Sequence, residues 1–92
     1  MFARVATFEG DQDQVKQLAQ EIGQGDPPEG IPAKELLLMT GLDSGKMTAI
    51  VFFETEDDLR QGHATLNEMS PDDASVRRSG VELYEVAARR TV

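Results

Sequence analysis

The order in which strand-like and helix-like apolar patterns follow one another is the feature that most constrains this chain's fold. Residues 2–8 contain Val, Thr and two Phe and stop before Gly10, which predicts a strand. Apolar residues then recur at the spacing of one helix face, at Val15, Leu18, Ala19 and Ile22. Asp11 is a suitable N-cap for this helix, and Gly23 and Gly25 end it. The turn-rich residues 23–33 predict a loop.

Two apolar runs follow this loop and predict an antiparallel hairpin. They occupy residues 34–40 and 47–53. The turn between them contains Asp43-Ser44-Gly45, in which Asp bonds its own backbone and Gly accepts a positive φ. Because both runs are apolar at successive positions, we expect burial on both faces of the sheet.

A second helix and a last strand complete the pattern. Thr55 is its predicted N-cap, with acidic residues in the first turn, where the helix dipole favours them. One face of the helix carries Leu59, Gly62, His63 and Leu66. Residues 70–73 end the helix, residues 74–79 have no clear pattern, and residues 81–88 predict the final strand.

The resulting order, β-α-β-β-α-β, predicts a ferredoxin-like α+β fold in a single domain spanning residues 1–92. We expect one antiparallel sheet with both helices on one face. The opposite face carries alternate apolar residues and needs cover, and a chain of this size forms only a thin core. A second copy is the simplest cover, so a homodimer that pairs two sheets is expected.

The net charge, the absence of Cys and the lack of long apolar runs argue against several classes of protein. The chain has 17 Asp and Glu against 9 Lys and Arg, a formal net charge of -8, which argues against nucleic-acid binding. The arginine pairs at 77–78 and 89–90 are interpreted as solvated or interfacial charges. Without Cys there are no disulfides. No apolar run approaches the ~20 residues that span a bilayer, and no signal peptide is recognisable. We therefore expect a soluble cytoplasmic protein without a membrane partner.

Several local patterns resemble functional motifs but lack their defining parts. Residues 41–48 have three residues instead of four between Gly and Gly-Lys, and lead into a strand, so no phosphate loop is predicted. In the third strand, Thr48 and Ile50 replace the stacking aromatics of an RNA-recognition module. The chain has no Gly-x-Ser-x-Gly elbow for a Ser-His-Asp triad. Its acidic groups lack the spacing of a metal loop, so no metal site is expected. No other cofactor is expected either.

His63 is the only His in the chain and the candidate catalytic residue. It lies beside Gly62, where a glycine either allows close backbone approach or leaves space for a cavity. A His facing a cavity can transfer a proton near neutral pH or bind a haem iron. A packed His would instead hydrogen-bond a carbonyl or a carboxylate. Both interpretations stay open.

Side chains from three strands complete the candidate ligand pocket. Arg4 and Tyr84 lie on the first and last strands, which are neighbours or near-neighbours in this topology. Phe52 lies near the end of the third strand. The predicted pocket residues are Arg4, Phe52, Gly62, His63 and Tyr84.

Four stretches of the chain resemble the antibiotic biosynthesis monooxygenase-like proteins of the dimeric α+β barrel superfamily. They are Phe-Ala-Arg-Val-Ala-Thr-Phe-Glu-Gly-Asp at 2–11, Leu-Leu-Leu-Met with Asp-Ser-Gly-Lys within 36–46, Phe-Phe-Glu-Thr-Glu-Asp-Asp-Leu at 52–59 and Val-Glu-Leu-Tyr-Glu-Val-Ala at 81–87. The resemblance spans nearly the whole chain. It implies a ferredoxin-like protomer, a dimer whose two sheets form a barrel, and one pocket per protomer between helices and sheet.

The resemblance leaves three functional hypotheses. The first is a homodimeric pocket protein that binds a small apolar or aromatic ligand, with no established reaction. The second is a cofactor-independent monooxygenase acting on a phenolic or polycyclic substrate, with His63 as proton acceptor. The third is a regulatory ligand-sensing domain. Active relatives often use an Asn on strand one and a Trp, whereas residues 2–8 contain no Asn and the chain has no Trp, which favours the first hypothesis.

Overall fold

The predicted element order is confirmed by a computed structural model that describes residues 1–25, 30–68 and 76–91. The elements are β1 (Phe2–Gly10), α1 (Gln12–Gln24), β2 (Glu35–Thr40), β3 (Lys46–Phe53), α2 (Glu56–Asn67) and β4 (Val76–Glu85). The four strands form one open sheet in the order β2-β3-β1-β4, and every neighbouring pair is antiparallel. This is the expected ferredoxin-like α+β arrangement.

Both helices pack on the same face of the sheet, which we call the helix face. On β1 the even-numbered residues from Phe2 to Phe8 point to this face, and on β3 the odd-numbered residues from Met47 to Phe53 do so. The other side of the sheet is called the open face. The alternation along each strand therefore decides which side chains can meet.

Two apolar clusters fill the helix face, one beneath each helix. Beneath α1, Val15 and Met47 are each 1% exposed and pack with Val76. Beneath α2, Phe53 is fully buried and packs with Leu59 and other apolar residues. Burying a side chain of this size contributes roughly 1.5–3 kcal/mol to folding. The polar residues described below lie on this same face.

Local signals in the sequence position the helices and the hairpin as predicted. Asp11 caps α1 by accepting hydrogen bonds from the backbone N–H groups of Asp13 and Gln14. Thr55 caps α2 by accepting one from the Asp58 N–H at 3.1 Å. In the hairpin, Gly45 adopts a φ of +66°, a conformation that favours glycine.

Two sequence predictions about the edge strands were wrong in detail. β4 begins at Val76, five residues earlier than predicted, and ends at Glu85. Its early part pairs with β1 after a register shift between Thr7 and Phe8, so tertiary pairing forms a strand that the polar local sequence does not signal. β2 is an edge strand, and its apolar run is largely exposed within one chain rather than buried on both faces.

The end of the second helix was predicted at residues 70–73, which lie outside the described residues, as do residues 74 and 75 of the unassigned segment. Among the described residues, no helix is long and apolar enough to cross a membrane.

Candidate functional site

The predicted site residue Arg4 lies on the helix face near the centre of the sheet and is only 4% exposed. It is placed there by the alternation of β1, between its cross-strand neighbours Val51 of β3 and Leu83 of β4. A buried guanidinium is costly unless its charge is compensated. Within the part of the chain that the structure describes, Arg4 forms no ion pair with a carboxylate.

Arg4 instead contacts two side chains of α2. Its Nε donates to Nδ1 of His63 at 3.2 Å, and its Nη2 donates to Oδ1 of Asn67 at 3.3 Å. Nδ2 of Asn67 lies 3.1 Å from Nε2 of His63, one helical turn apart. These three side chains form a closed set of contacts that we call the polar ring. The structure thus brings together the predicted residues Arg4 and His63.

His63 is partly buried, and the fold lowers its pKa from the ordinary value of a histidine. Burial is the largest cause, followed by the positive charges of Arg4, Arg78 and Arg60. The imidazole is therefore neutral near pH 7. Since Arg4 donates to Nδ1, the proton of this neutral ring is on Nε2, and His63 presents an N–H donor rather than a free lone pair.

A further arginine extends the positive charge around the ring. Arg78 of β4 donates from Nη1 to the backbone carbonyl of Leu66 on α2, at 3.4 Å. Burial and the charge of Arg78 lower the pKa of Arg4. Arg78 is partly buried, unlike its neighbour Arg77, whose side chain is 81% exposed and pairs with Glu9.

Gly62 allows a close approach between α2 and the sheet. A Cβ at this position would lie 2.4 and 2.5 Å from Cε1 and Cζ of Phe53. Of the two roles considered from the sequence, the structure shows close packing at Gly62, where the ring of Phe53 fills the space. Gly62 therefore positions α2, and with it His63, against the helix face.

The remaining predicted pocket residues lie on the open face. Phe52 and Tyr84 both flank Ala3 in one row across the sheet, opposite in direction to Arg4. The guanidinium of Arg89 lies 5.4 Å from the centroid of the Phe52 ring and also binds Glu35. The sheet thus separates these two aromatic side chains from Arg4, Gly62 and His63.

Tyr84 already has a partner on the open face. Its hydroxyl donates a hydrogen bond to the carboxylate of Glu82, and this bond, with burial and the carboxylate charge, raises the pKa of Tyr84. The side chain is 48% exposed. Its ring therefore contributes apolar surface to the open face, while its hydroxyl is occupied.

A cavity of about 220 Å³ lies elsewhere, towards the hairpin end of the sheet. Its lining residues are Thr7, Phe8, Glu9, Lys46, Met47, Thr48 and Ser79. None of them belongs to the polar ring or to the predicted pocket. Across the described ranges, moreover, no group of three or more His, Asp or Glu side chains could hold a metal ion.

Two residues of this region, Asn67 and Arg78, were not among the predicted site residues. Asn67 is four residues after His63, a spacing that places both on one helix face and could have indicated the contact. Arg78 was interpreted as a solvated or interfacial charge. The sequence around Arg78 does not indicate which face of the sheet its side chain lies on, because that face depends on the register shift in the pairing of β1 with β4.

No protein-family model matches this sequence, and no curated protein matches it significantly. The resemblance to the antibiotic biosynthesis monooxygenase-like proteins stays a prediction.

Proposed function

We propose that this chain is a homodimeric protein that binds a small ligand at the polar ring between α2 and the sheet. The observation that carries the proposal is the burial of Arg4, which is 4% exposed and whose guanidinium contacts neutral groups only, as far as the structure is described. An apolar side chain would fill the same volume at lower cost, since desolvating an unpaired charge costs several kcal/mol. A ligand that contacts the guanidinium gives this residue a role.

The surroundings of the ring supply apolar surface for the rest of such a ligand. Leu83 is the cross-strand neighbour of Arg4 on the helix face and is 39% exposed. It lies on β4, an edge strand of the sheet. Sites for small molecules combine apolar walls with a few convergent polar groups, and this edge offers both.

The hydrogen bonding of His63 gives less support to the oxygenase hypothesis. A proton acceptor needs a free lone pair within reach of the substrate. In the polar ring the lone pair of neutral His63 is on Nδ1 and accepts from Arg4. We therefore favour binding over proton abstraction at this residue.

Three small aromatic probes test the proposed site. Hydroquinone, benzoate and benzamide are added separately to the ¹⁵N-labelled chain, and backbone amide shifts are followed. We expect at least one probe to shift amides around Arg4, His63 and Asn67 in a saturable way. Gly62 and Leu83 amides report on the same region. If none of the three probes shifts these amides at millimolar concentration, the proposed site is refuted.

The open face supports the homodimer. Its exposed apolar side chains include Leu37 at 44%, Met39 at 48% and Tyr84 at 48%. Contiguous apolar surface of this kind is typical of interaction sites. The charged groups at one end of the face, Glu35 and Arg89, bind each other, so a second copy can approach without leaving them unpaired. A second copy is therefore the proposed cover of this face.

Light scattering tests the dimer directly. We expect twice the chain mass of 10.1 kDa for the unmodified protein. Leu37→Glu places a charge on the open face and should give a monomer. Leu42→Glu is the matched control, because Leu42 lies in the hairpin turn and is 86% exposed. A monomeric unmodified chain, or equal dimerisation of both variants, contradicts the proposed homodimer.

A further inference from the structure

We infer that the polar ring of Arg4, His63 and Asn67, together with Arg78, binds a small organic carboxylate. This inference rests on the proposed function, since it names the class of ligand for the same site. It follows from a count of hydrogen-bond donors and acceptors, from the charges around the ring and from the apolar surface beside it.

The polar ring has one hydrogen-bond acceptor too few for its three contacts. It has three contacts, Arg4 to His63, Arg4 to Asn67, and Asn67 to His63. Arginine donates only, a neutral imidazole has one acceptor nitrogen, and an amide has one acceptor oxygen. The three contacts join three different pairs of atoms, so each contact needs an acceptor atom of its own, and only two are present. As placed, Nδ2 of Asn67 and the protonated Nε2 of His63 are both donors, 3.1 Å apart.

No rearrangement of protons or amide atoms removes this mismatch. Turning the Asn67 amide lets Oδ1 accept from Nε2 of His63 but brings Nδ2 against Nη2 of Arg4, which is again donor against donor. If the imidazole proton is moved to Nδ1, the Nδ1–H donor faces the Nε–H donor of Arg4. In every arrangement, therefore, at least one N–H group of the polar ring has no acceptor among the three side chains. Since the contact between Asn67 and His63 is exposed, the missing acceptor comes from outside these three side chains, from a ligand or, when none is bound, from water.

The electrostatic surroundings select an anion as that acceptor. Among the described residues, the charged groups that shift the pKa of His63 are Arg4 from β1, Arg78 from β4 and Arg60 from α2 itself, and all are positive. Arg60 also pairs with Glu56. This concentration of positive charge occurs in a chain whose formal net charge is -8. Asn67 is exposed while Arg4 is buried, so a ligand would approach the polar ring from the side of Asn67.

A carboxylate fits these donors better than a spherical anion. Its two oxygens have about four lone-pair positions and match the planar fork of a guanidinium. One oxygen can accept from His63 Nε2–H and Asn67, and the other from Arg78 and from the N–H groups of Arg4 that do not bind His63 or Asn67. The partly exposed Leu83 lies beside Arg4 and offers contact to an apolar body attached to the carboxylate.

His63 provides a specific probe, because it is the only histidine in the chain. We would titrate its ring by NMR with benzoate and with its neutral analogue benzamide, using protein without a histidine tag. An anion bound at Nε2 favours the charged imidazolium, so benzoate should raise the pKa of His63 and benzamide should not. By linkage, benzoate should bind more tightly at about pH 5.5 than at about pH 8.

Two pairs of variants sharpen the test. Arg78→Gln should weaken benzoate binding about tenfold, the effect of losing one charge-assisted hydrogen bond. Arg77→Gln is the matched control, because Arg77 is exposed and pairs with Glu9, and it should bind like the unmodified chain. Asn67→Asp adds a carboxylate to the polar ring. This variant should raise the pKa of His63 without any ligand, and it should no longer bind benzoate. Asn67→Gln is its control and should leave the pKa of His63 low.

The possible outcomes separate this inference from the proposed function. If hydroquinone or benzamide binds at the ring and benzoate does not, the site stands and the carboxylate inference fails. If Arg78→Gln and Arg77→Gln bind benzoate equally, the inference also fails. If the unliganded chain already shows a raised His63 pKa, a carboxylate of the chain itself occupies the ring, and the inference is overturned.

Discussion

Replacing Gly62 by Ala should destabilise the protein even though it improves the helix. Replacing a glycine within a helix by alanine stabilises the helix by about 1 kcal/mol. The added Cβ, however, would lie 2.4 Å from Cε1 of Phe53, whereas ordinary carbon contacts are about 3.5–4.0 Å. Phe53 is fully buried and must move by roughly 1 Å. Overpacking of this kind costs about 1–3 kcal/mol or more. A contact of 2.4 Å puts the cost in the upper half of this range, about 2–3 kcal/mol, so the helix gain of about 1 kcal/mol leaves a net loss of about 1–2 kcal/mol.

Gly23→Ala is the matched control for this experiment. Gly23 is also helical, but a Cβ there would lie 3.8 Å from Cδ1 of Leu38, an ordinary contact. It lies close to the end of α1, so we expect a gain of about 0.5 kcal/mol. The two substitutions therefore change the free energy of unfolding in opposite directions.

Urea unfolding measures both changes, and a second substitution checks the cause. With a slope of about 1 kcal/mol per M for a small domain, Gly62→Ala should lower the midpoint by roughly 1–2 M. In a Phe53→Leu background the loss should shrink, since the two positions contact each other and their effects are coupled. If Gly62→Ala is as stable as the unmodified chain or more so, the close packing of α2 on Phe53 is refuted.

Two further predictions concern pH and capping. The fold lowers the pKa of His63, so below about pH 6.5 the unfolded state takes up the proton more readily. Compared with His63→Gln, the unmodified chain should lose free energy of unfolding as the pH falls from about 6.5 to the pKa of His63 in the folded state, and no more below that pKa. If the difference between the urea midpoints of the two proteins does not change with pH, the lowered pKa is contradicted. Thr55→Ala removes the acceptor for the Asp58 N–H and should cost about 1 kcal/mol, or roughly 4–8 °C in Tm by calorimetry. An unchanged Tm would show that the cap is not stabilising.

The fold was predictable because its local signals agree with one another. Asp11 and Thr55 act as N-caps, and Gly45 has the positive φ that its hairpin turn requires. The spacing of apolar residues then identifies the helices and the first three strands. The exception is the start of β4, where residues 76–80 are mostly polar and join the sheet through pairing with β1. Pairing of distant segments has no local signal in such a sequence.

The site was only partly predictable, because strand register decides which side chains meet. Arg4 is paired with Val51, so the next residue, Phe52, points to the opposite face. A shift of one residue would have placed Phe52 beside Arg4 instead. The register depends on packing across the whole sheet. Arg4 and His63 could therefore be predicted as neighbours, but the predicted pocket also included two aromatic residues that lie on the other face.

The hydrogen bonds of the polar ring require one position for the proton on the His63 imidazole. Long-range ¹H–¹⁵N correlation of the single histidine at about pH 7.5 distinguishes the two neutral forms. We expect a neutral imidazole with its proton on Nε2, because Nδ1 accepts from Nε of Arg4. A proton on Nδ1, or a charged imidazolium at this pH, would contradict the donor arrangement on which the ligand site depends.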